Sequence, residues 1–345
     1  MIPIQNIYYM LSYAFQVLNE QGYKNIATEQ FNNTGELMAA ILEKGIAIQL
    51  KRGLGKEYIL QTEALSSLRG KIDIAESIKT QSMLRKQLIC TYDEFSVNSI
   101  MNRIIKSTVE LLLRSNISKQ RKKNLRKLMV YFSEVDFIDL YTVNWNVQYN
   151  RNNQTYRMLI SICYLVVKGL LQTQSNGHTE LMDFLDEQRM CRLYEKFILE
   201  YYRKEFKNQF TANASQIPWQ LDNEENSMLP VMQSDIMLQS GEKVLIIDAK
   251  YYEHSTQVQF DKHTLHSGNL YQIFTYVKNK EYELREKNHT VSGMLLYAKT
   301  DEEIYPNNVY QMSGNQITVR TLDLNLPFDE IAGQLNTIAK TYFDL

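Results

Sequence analysis

The sequence predicts an α+β protein of two domains: a mixed α/β amino-terminal part, residues 1–175, and a carboxy-terminal α/β part, residues 176–345, organised around a β-hairpin. Three observations support this reading. The chain has 345 residues, enough for two separate cores. Helical apolar periodicity dominates the first half, whereas the second alternates helices with short apolar runs bounded by turn residues. Between the halves, Gln174-Ser175-Asn176-Gly177 has the composition of a loop.

Composition removes several function classes. With 44% hydrophobic and 22% charged residues and no low-complexity tract, an ordered globular protein is expected. A formal net charge of −1 gives the whole molecule no attraction to nucleic acid, so any such contact must come from local basic patches. Cys90, Cys163 and Cys191 are scattered, with neither zinc spacing nor an even count for disulfides, which fits a reducing cytoplasm. The first residues are interrupted by Asn6 and Gln16 and lack a basic start, so no signal peptide is read there. No apolar run approaches a membrane span, and no membrane partner is expected.

Taken in order, the chain first shows a helix with Met10, Leu11, Ala14 and Leu18 inward, then a second beginning near Thr34 and weakened at Gly45. Alternating segments at 58–62 and 69–74 read as strands. Gly53-Leu54-Gly55-Lys56 lacks the spacer and the Ser/Thr of a phosphate loop, so nucleotide hydrolysis is not expected of this chain. Residues 96–115 form a helix on which Asn102, Arg103 and Lys106 read as a solvated or pair-forming face. Residues 119–127, KQRKKNLRK, are the most basic run, a solvated face or a contact for phosphates or an acidic partner. Residues 156–171 form an apolar helix, and residues 187–206 an amphipathic one flanked by Glu195 and Glu200. Strands at 293–298, 309–312 and 316–322 and a helix at 331–342 complete the pattern. His263 and His266, three apart beside Asp261, lack a third ligand and read as ordinary surface residues.

The informative stretch is 229–252, LPVMQSDIMLQSGEKVLIIDAKYY. Residues 231–238 read as one strand, Ser240-Gly241-Glu242 as a turn, and Lys243 to Ile247 as a buried strand that ends in Asp248-Ala249-Lys250. Alternation puts Asp248 and Lys250 on one face, and folding back at Gly241 brings Asp235 opposite Ile247 and Asp248. An uncompensated buried charge costs about 3–5 kcal/mol, and paired carboxylates repel unless a proton or cation lies between them. A divalent metal resolves this, and hard Mg²⁺ suits one or two carboxylates plus phosphate oxygens. The alternative is a plain salt bridge at a strand end. An acid on one strand followed by acid-x-Lys on the next resembles the PD-(D/E)xK nucleases. Downstream, Gln272 and Tyr276 lie four apart on a helix over 265–280, and Gln-x-x-x-Tyr in that place resembles RecB-like nucleases.

Several stretches together resemble one family. Residues 2–11 (IPIQNIYYML), 102–108 (NRIIKST), 248–252 (DAKYY) and 269–272 (NLYQ) are similar to McrC, the nuclease subunit of McrBC restriction systems. The resemblance implies an amino-terminal domain that docks into the pore of an McrB-like AAA+ GTPase hexamer and stimulates it, and a carboxy-terminal domain that cuts double-stranded DNA containing methylcytosine. It places Asp235, Asp248 and Lys250 on the catalytic positions. Mg²⁺ is then expected on Asp235, Asp248 and the Ala249 carbonyl, with Gln272 positioning Lys250 and Glu195 as a further acid, Glu200 being its competitor. GTP would be bound by the partner. The rival readings are a non-catalytic activator of the ring and a free-standing RecB-like nuclease.

Overall fold

The computed structural model describes the chain apart from residues 1, 20–22, 24, 25, 27, 28, 30, 32, 152, 176–186, 224–227, 253–256, 260, 261 and 300–304, and apart from the side chains of 17, 168–175, 187–189, 257–259, 262 and 263. The protein is mixed α/β and divides into two units. One unit is Thr28–Phe184, and the other joins Met1–Ala27 to Leu185–Leu345. The expected boundary at 175/176 therefore misassigns the first residues of the chain. They belong to the carboxy-terminal unit because α1 (Ile4–Ala14) is bonded into it. The Asn6 amide donates to the carbonyls of Leu324, at 2.7 Å, and Leu326, at 2.8 Å. Tyr9 and Tyr13 stack on Phe328 with ring centroids 4.5 and 5.7 Å away.

The unit Thr28–Phe184 begins with α2 (Thr34–Arg52), whose amino terminus is capped by Asn33 accepting from the Glu36 N–H at 2.8 Å. The helix continues through Gly45, which the tertiary packing of Met38, Ile41, Leu42 and Ile46 overrides. Strands β1 (Glu57–Leu65), β2 (Lys71–Asp73) and, after the short α3 (Ile74–Lys79), β3 (Leu88–Ser96) form an antiparallel sheet in the order β1-β3-β2. Three further helices follow: α4 (Ile100–Arg114), α5 (Lys119–Met129) and α6 (Tyr156–Ser175). Asn102 is not on a solvated face of α4. It is fully buried, donating to the carbonyls of Gly55 and Val97 and accepting from the Tyr156 hydroxyl at 2.8 Å. Lys106 donates to the carbonyls of Phe132 and Val135. Apolar periodicity cannot flag a polar residue whose partners come from other elements.

In the second unit, α7 (Glu187–Glu205) leads into β4 (Thr211–Asn213), β5 (Gln216–Ile217), β6 (Met232–Gln233), β7 (Ile236–Ser240) and β8 (Lys243–Lys250). The small ribbon β9 (Gln257–Gln259) and β10 (Lys262–Thr264), α8 (Ser267–Glu283), β11 (Thr290–Ala298), β12 (Asn308–Met312), β13 (Asn315–Leu322) and α9 (Phe328–Phe343) complete it. Six strands form a mixed sheet in the order β12-β13-β11-β8-β7-β4, with β11 parallel to both β8 and β13. The hairpin β7–β8 turns at Gly241, whose φ of 55° is the left-handed conformation a two-residue turn requires. The single strand expected over 231–238 is broken. β6 pairs with β5 while β7 pairs with β8, and the Ser234 N–H bonds the Ser215 carbonyl at the break. Asp235 sits at this switch between sheets.

One face of the sheet packs on α8: Val244 and Ile246 of β8, Val291 and Leu295 of β11, and Ile317 and Val319 of β13 share a core with Ile273, Tyr276 and Val277. α7 packs on β7 and β8, and α9 on β8 and β13. Among the described residues no helix is long and apolar enough to cross a membrane.

Candidate active site

Alternation along β8 fixes the side on which its charges emerge. After Val244 and Ile246, which face α8, the next residues in step are Asp248 and Lys250. On β7, Met237 faces the same core, and Asp235 lies two residues before it. The register pairs Ile236 with Ile247, so one further step sets Asp235 against Asp248. Three charges thus collect at the carboxy-terminal end of β8, on the α8 side.

The contacts are close. The Lys250 ammonium donates to Asp248 Oδ1 at 3.0 Å and to Gln272 Oε1 at 3.2 Å. It also lies 2.9 Å from Asp248 Oδ2, yet without hydrogen-bond alignment, so that buried oxygen has no hydrogen-bond partner. Asp235 Oδ2 accepts the Ala249 N–H at 2.9 Å, which anchors its carboxylate to β8. The Gln272 amide donates to the Tyr276 hydroxyl at 2.9 Å, so the glutamine is held from its own helix while it meets the lysine.

Burial dominates the electrostatics. Asp248 is 1% exposed, and desolvation raises its carboxyl to about 7, Lys250 pulling it down and Asp235 pushing it up. For Lys250 burial works against the ammonium, but Asp248 and then Asp235 outweigh it and raise the group above its ordinary value. The lysine is therefore a fixed positive charge at neutral pH. Glu195 is raised by burial and by the neighbouring Asp235, so its charge is felt at the site.

The model of the family described as "McrBC 5-methylcytosine restriction system component" matches residues 5–298. The chain belongs to this family. Within it the chain is McrC-like, as the resemblance implied. It is 29% identical to the "Type IV methyl-directed restriction enzyme EcoKMcrBC" of Escherichia coli strain K12, over 99% of this chain and 98% of that one. Two solved structures are also similar. One is a half-complex from a tetradecameric assembly of Thermococcus gammatolerans McrB AAA+ hexamers with bound McrC, at 17% identity and TM-score 0.49 over 97% of this chain and 76% of that one. The other is the Thermococcus gammatolerans McrBC complex, at 21% identity and TM-score 0.42 over 59% of each chain.

In this McrC-like chain, Asp235, Asp248, Lys250 and Gln272 stand together, whereas Glu195 keeps a separate hydrogen bond. Its Oε1 accepts from the Cys191 thiol at 3.1 Å, and Glu200 is paired with Arg203 at 2.7 Å. Burial, followed by the bond to Glu195, pushes the Cys191 thiol up to about 12. Among the described residues no group of three or more His, Cys, Asp or Glu side chains is arranged to hold a metal ion. The carboxylates brought together at the site are those of Asp235 and Asp248, while the Ala249 carbonyl, expected as a third ligand, accepts from the Cys191 thiol at 3.9 Å. Carboxylates are hard donors, and Asp248 Oδ2, buried and ion-paired with Lys250 but without a hydrogen bond, is an oxygen that a hard divalent cation suits. Asp261 and the side chain of His263 lie outside the described residues.

Sequence reasoning missed the layer behind the site. Asn269, buried on α8, donates to the Tyr297 hydroxyl at 2.9 Å and accepts from Tyr252 at 3.3 Å. Cys191 was visible only as a residue four before Glu195 on one helix face.

Proposed function

We propose that the chain is the DNA-cutting subunit of a methylcytosine-directed restriction complex, and that the unit containing β8 is a PD-(D/E)xK endonuclease hydrolysing phosphodiesters with Mg²⁺. The observation that carries this reading is Asp248, almost wholly buried beside Asp235, with an oxygen that no hydrogen bond satisfies. A structural salt bridge has no need of a second carboxylate there, which adds repulsion to an already costly burial.

Asp235, Asp248 and the Ala249 carbonyl would hold the cation. When bound, it supplies Lewis-acid polarisation and charge neutralisation at the scissile phosphate. Lys250 stays protonated, so it acts as a charge and hydrogen-bond donor for the negative charge that develops on the phosphate, and not as a general base. Gln272 accepts from Lys250 and holds the ammonium against α8. Family membership supports an McrB-like AAA+ GTPase hexamer as partner and DNA containing methylcytosine as substrate. The unit Thr28–Phe184 would dock to that ring, and GTP would be bound by the ring, since Gly53-Leu54-Gly55-Lys56 does not form a phosphate-loop motif.

The test is cleavage of methylated DNA by Asp248→Ala and Lys250→Ala together with the GTPase partner. Each substitution should lower the cutting rate at least ~100-fold while stimulation of GTP hydrolysis stays near wild type. Normal cutting by either variant would remove the nuclease site, and a chain that stimulates the ring but never cuts would be an activator only.

A further inference from the structure

The basic run 119–127 is absorbed by none of this. Its six cations divide in two once placed on α5. Arg121 turns inward, where its guanidinium reaches Glu29 at 2.9 Å, Glu36 at 3.3 Å and Glu43 at 2.9 Å. Leu125 is buried on the same side. The other five, Lys119, Lys122, Lys123, Arg126 and Lys127, follow the spacing i, i+3, i+4, i+7, i+8, which is one face of a helix. Lys119, Lys123, Arg126 and Lys127 are exposed and Lys122 is partly so.

Five cations therefore share one face of a single short helix. Four other helix cations do pair with a carboxylate three or four residues away: Lys79 with Glu76, Arg114 with Glu110, Arg203 with Glu200, Lys280 with Glu283. From Lys119 to Met129 there is no acidic residue, and no ion pair among the described residues involves any of the five cations. The arrangement costs stability twice. Like charges at i and i+4 repel, and Lys119, Lys122 and Lys123 oppose the positive end of the helix dipole. A dense polyanion is the ligand that relieves both.

We propose that the exposed face of α5, in the unit Thr28–Phe184, is a sequence-independent contact for the phosphate backbone of duplex DNA. The stripe is about 12 Å long, and duplex DNA carries one charge per about 1.7 Å of axis, so roughly seven phosphate charges lie within its length. Between Lys119 and Lys127 the exposed face offers no apolar side chain of the kind that anchors protein partners; Val130 and Tyr131 follow at its end. This inference rests on the reading of the chain as a DNA-cutting subunit.

The test is a salt titration of binding, with the full chain and a short fluorescent unmethylated duplex in chelator. The variant carries Lys123→Gln, Arg126→Gln and Lys127→Gln together. Each phosphate contact contributes a slope of about 0.9 to log affinity against log salt, so the slope should shrink by about 2.7, with affinity at low salt falling at least ~10-fold. The thermal midpoint should hold or rise, because repulsion is relieved. Lys123→Arg with Lys127→Arg should bind as wild type, which keeps the result readable if the glutamines disturb the fold. An unchanged slope, or no duplex binding by the wild-type chain, overturns the proposal. Intact DNA binding with lost stimulation of the GTPase partner also overturns it, and would make α5 a dock for an acidic protein surface. Asp248→Ala separates the two readings. If it fails to cut while the glutamine variant keeps its slope, the stripe falls and the nuclease site stands; if it cuts while the slope is lost, the reverse holds.

Discussion

At Asp248 the cost and the use of a single carboxylate can be separated. Burial raises its carboxyl to about 7, against an unfolded value of about 3.9. Between those pH values the folded chain holds a proton that the unfolded chain has released, so the native state binds more protons and stability falls as pH rises. Above the upper value the penalty is complete and the profile levels. Asp248→Asn keeps the shape of the side chain and cannot ionise. In chelator its thermal midpoint should exceed wild type near neutral pH, and the decline across that window should flatten, while cutting is lost. A variant whose midpoint tracks wild type across the window would mean that Asp248 is not held unfavourably. Asp248 and Lys250 were legible from the sequence because charges in step with an apolar strand are conspicuous. Asn102 and Cys191 were not, since their partners lie on other elements or offer only a helix spacing.

The elements position the site through the fit of α8 on the sheet. Gly293 of β11 lies under that helix: a Cβ there would come within 2.8 Å of Val277 Cγ2 and 2.9 Å of Ile273 Cγ1 and Ile317 Cδ1. Gly293→Ala should therefore cost about 1–3 kcal/mol as an overpacked core, read by urea unfolding. Because Gln272 is next to Ile273 on α8, cutting should fall by more than the loss of folded protein explains. Unchanged unfolding and cutting would show that the helix has room to shift. The hairpin, α8 and the strand 293–298 were all legible in the sequence as apolar periodicity. The break at Ser234 and Asp235 was not, because it is set by the exchange of strand partners from β5 to β8, which periodicity does not encode.

For the molecule as a whole, the sequence carried the mixture of helices and strands, but not which end of the chain completes which unit. Met1–Ala27 lies with Leu185–Leu345, tied by Asn6 to the carbonyls before α9. A fragment of residues 176–345 lacks α1 and is not a self-contained unit, so the proposed cation site is tested on the full chain. The most direct measurement is Mn²⁺ binding to that chain, followed by electron paramagnetic resonance. The account predicts one site in the wild type that disappears in Asp235→Asn and in Asp248→Asn and survives in the α5 glutamine variant. Equal Mn²⁺ binding by the two aspartate variants and the wild type would contradict it.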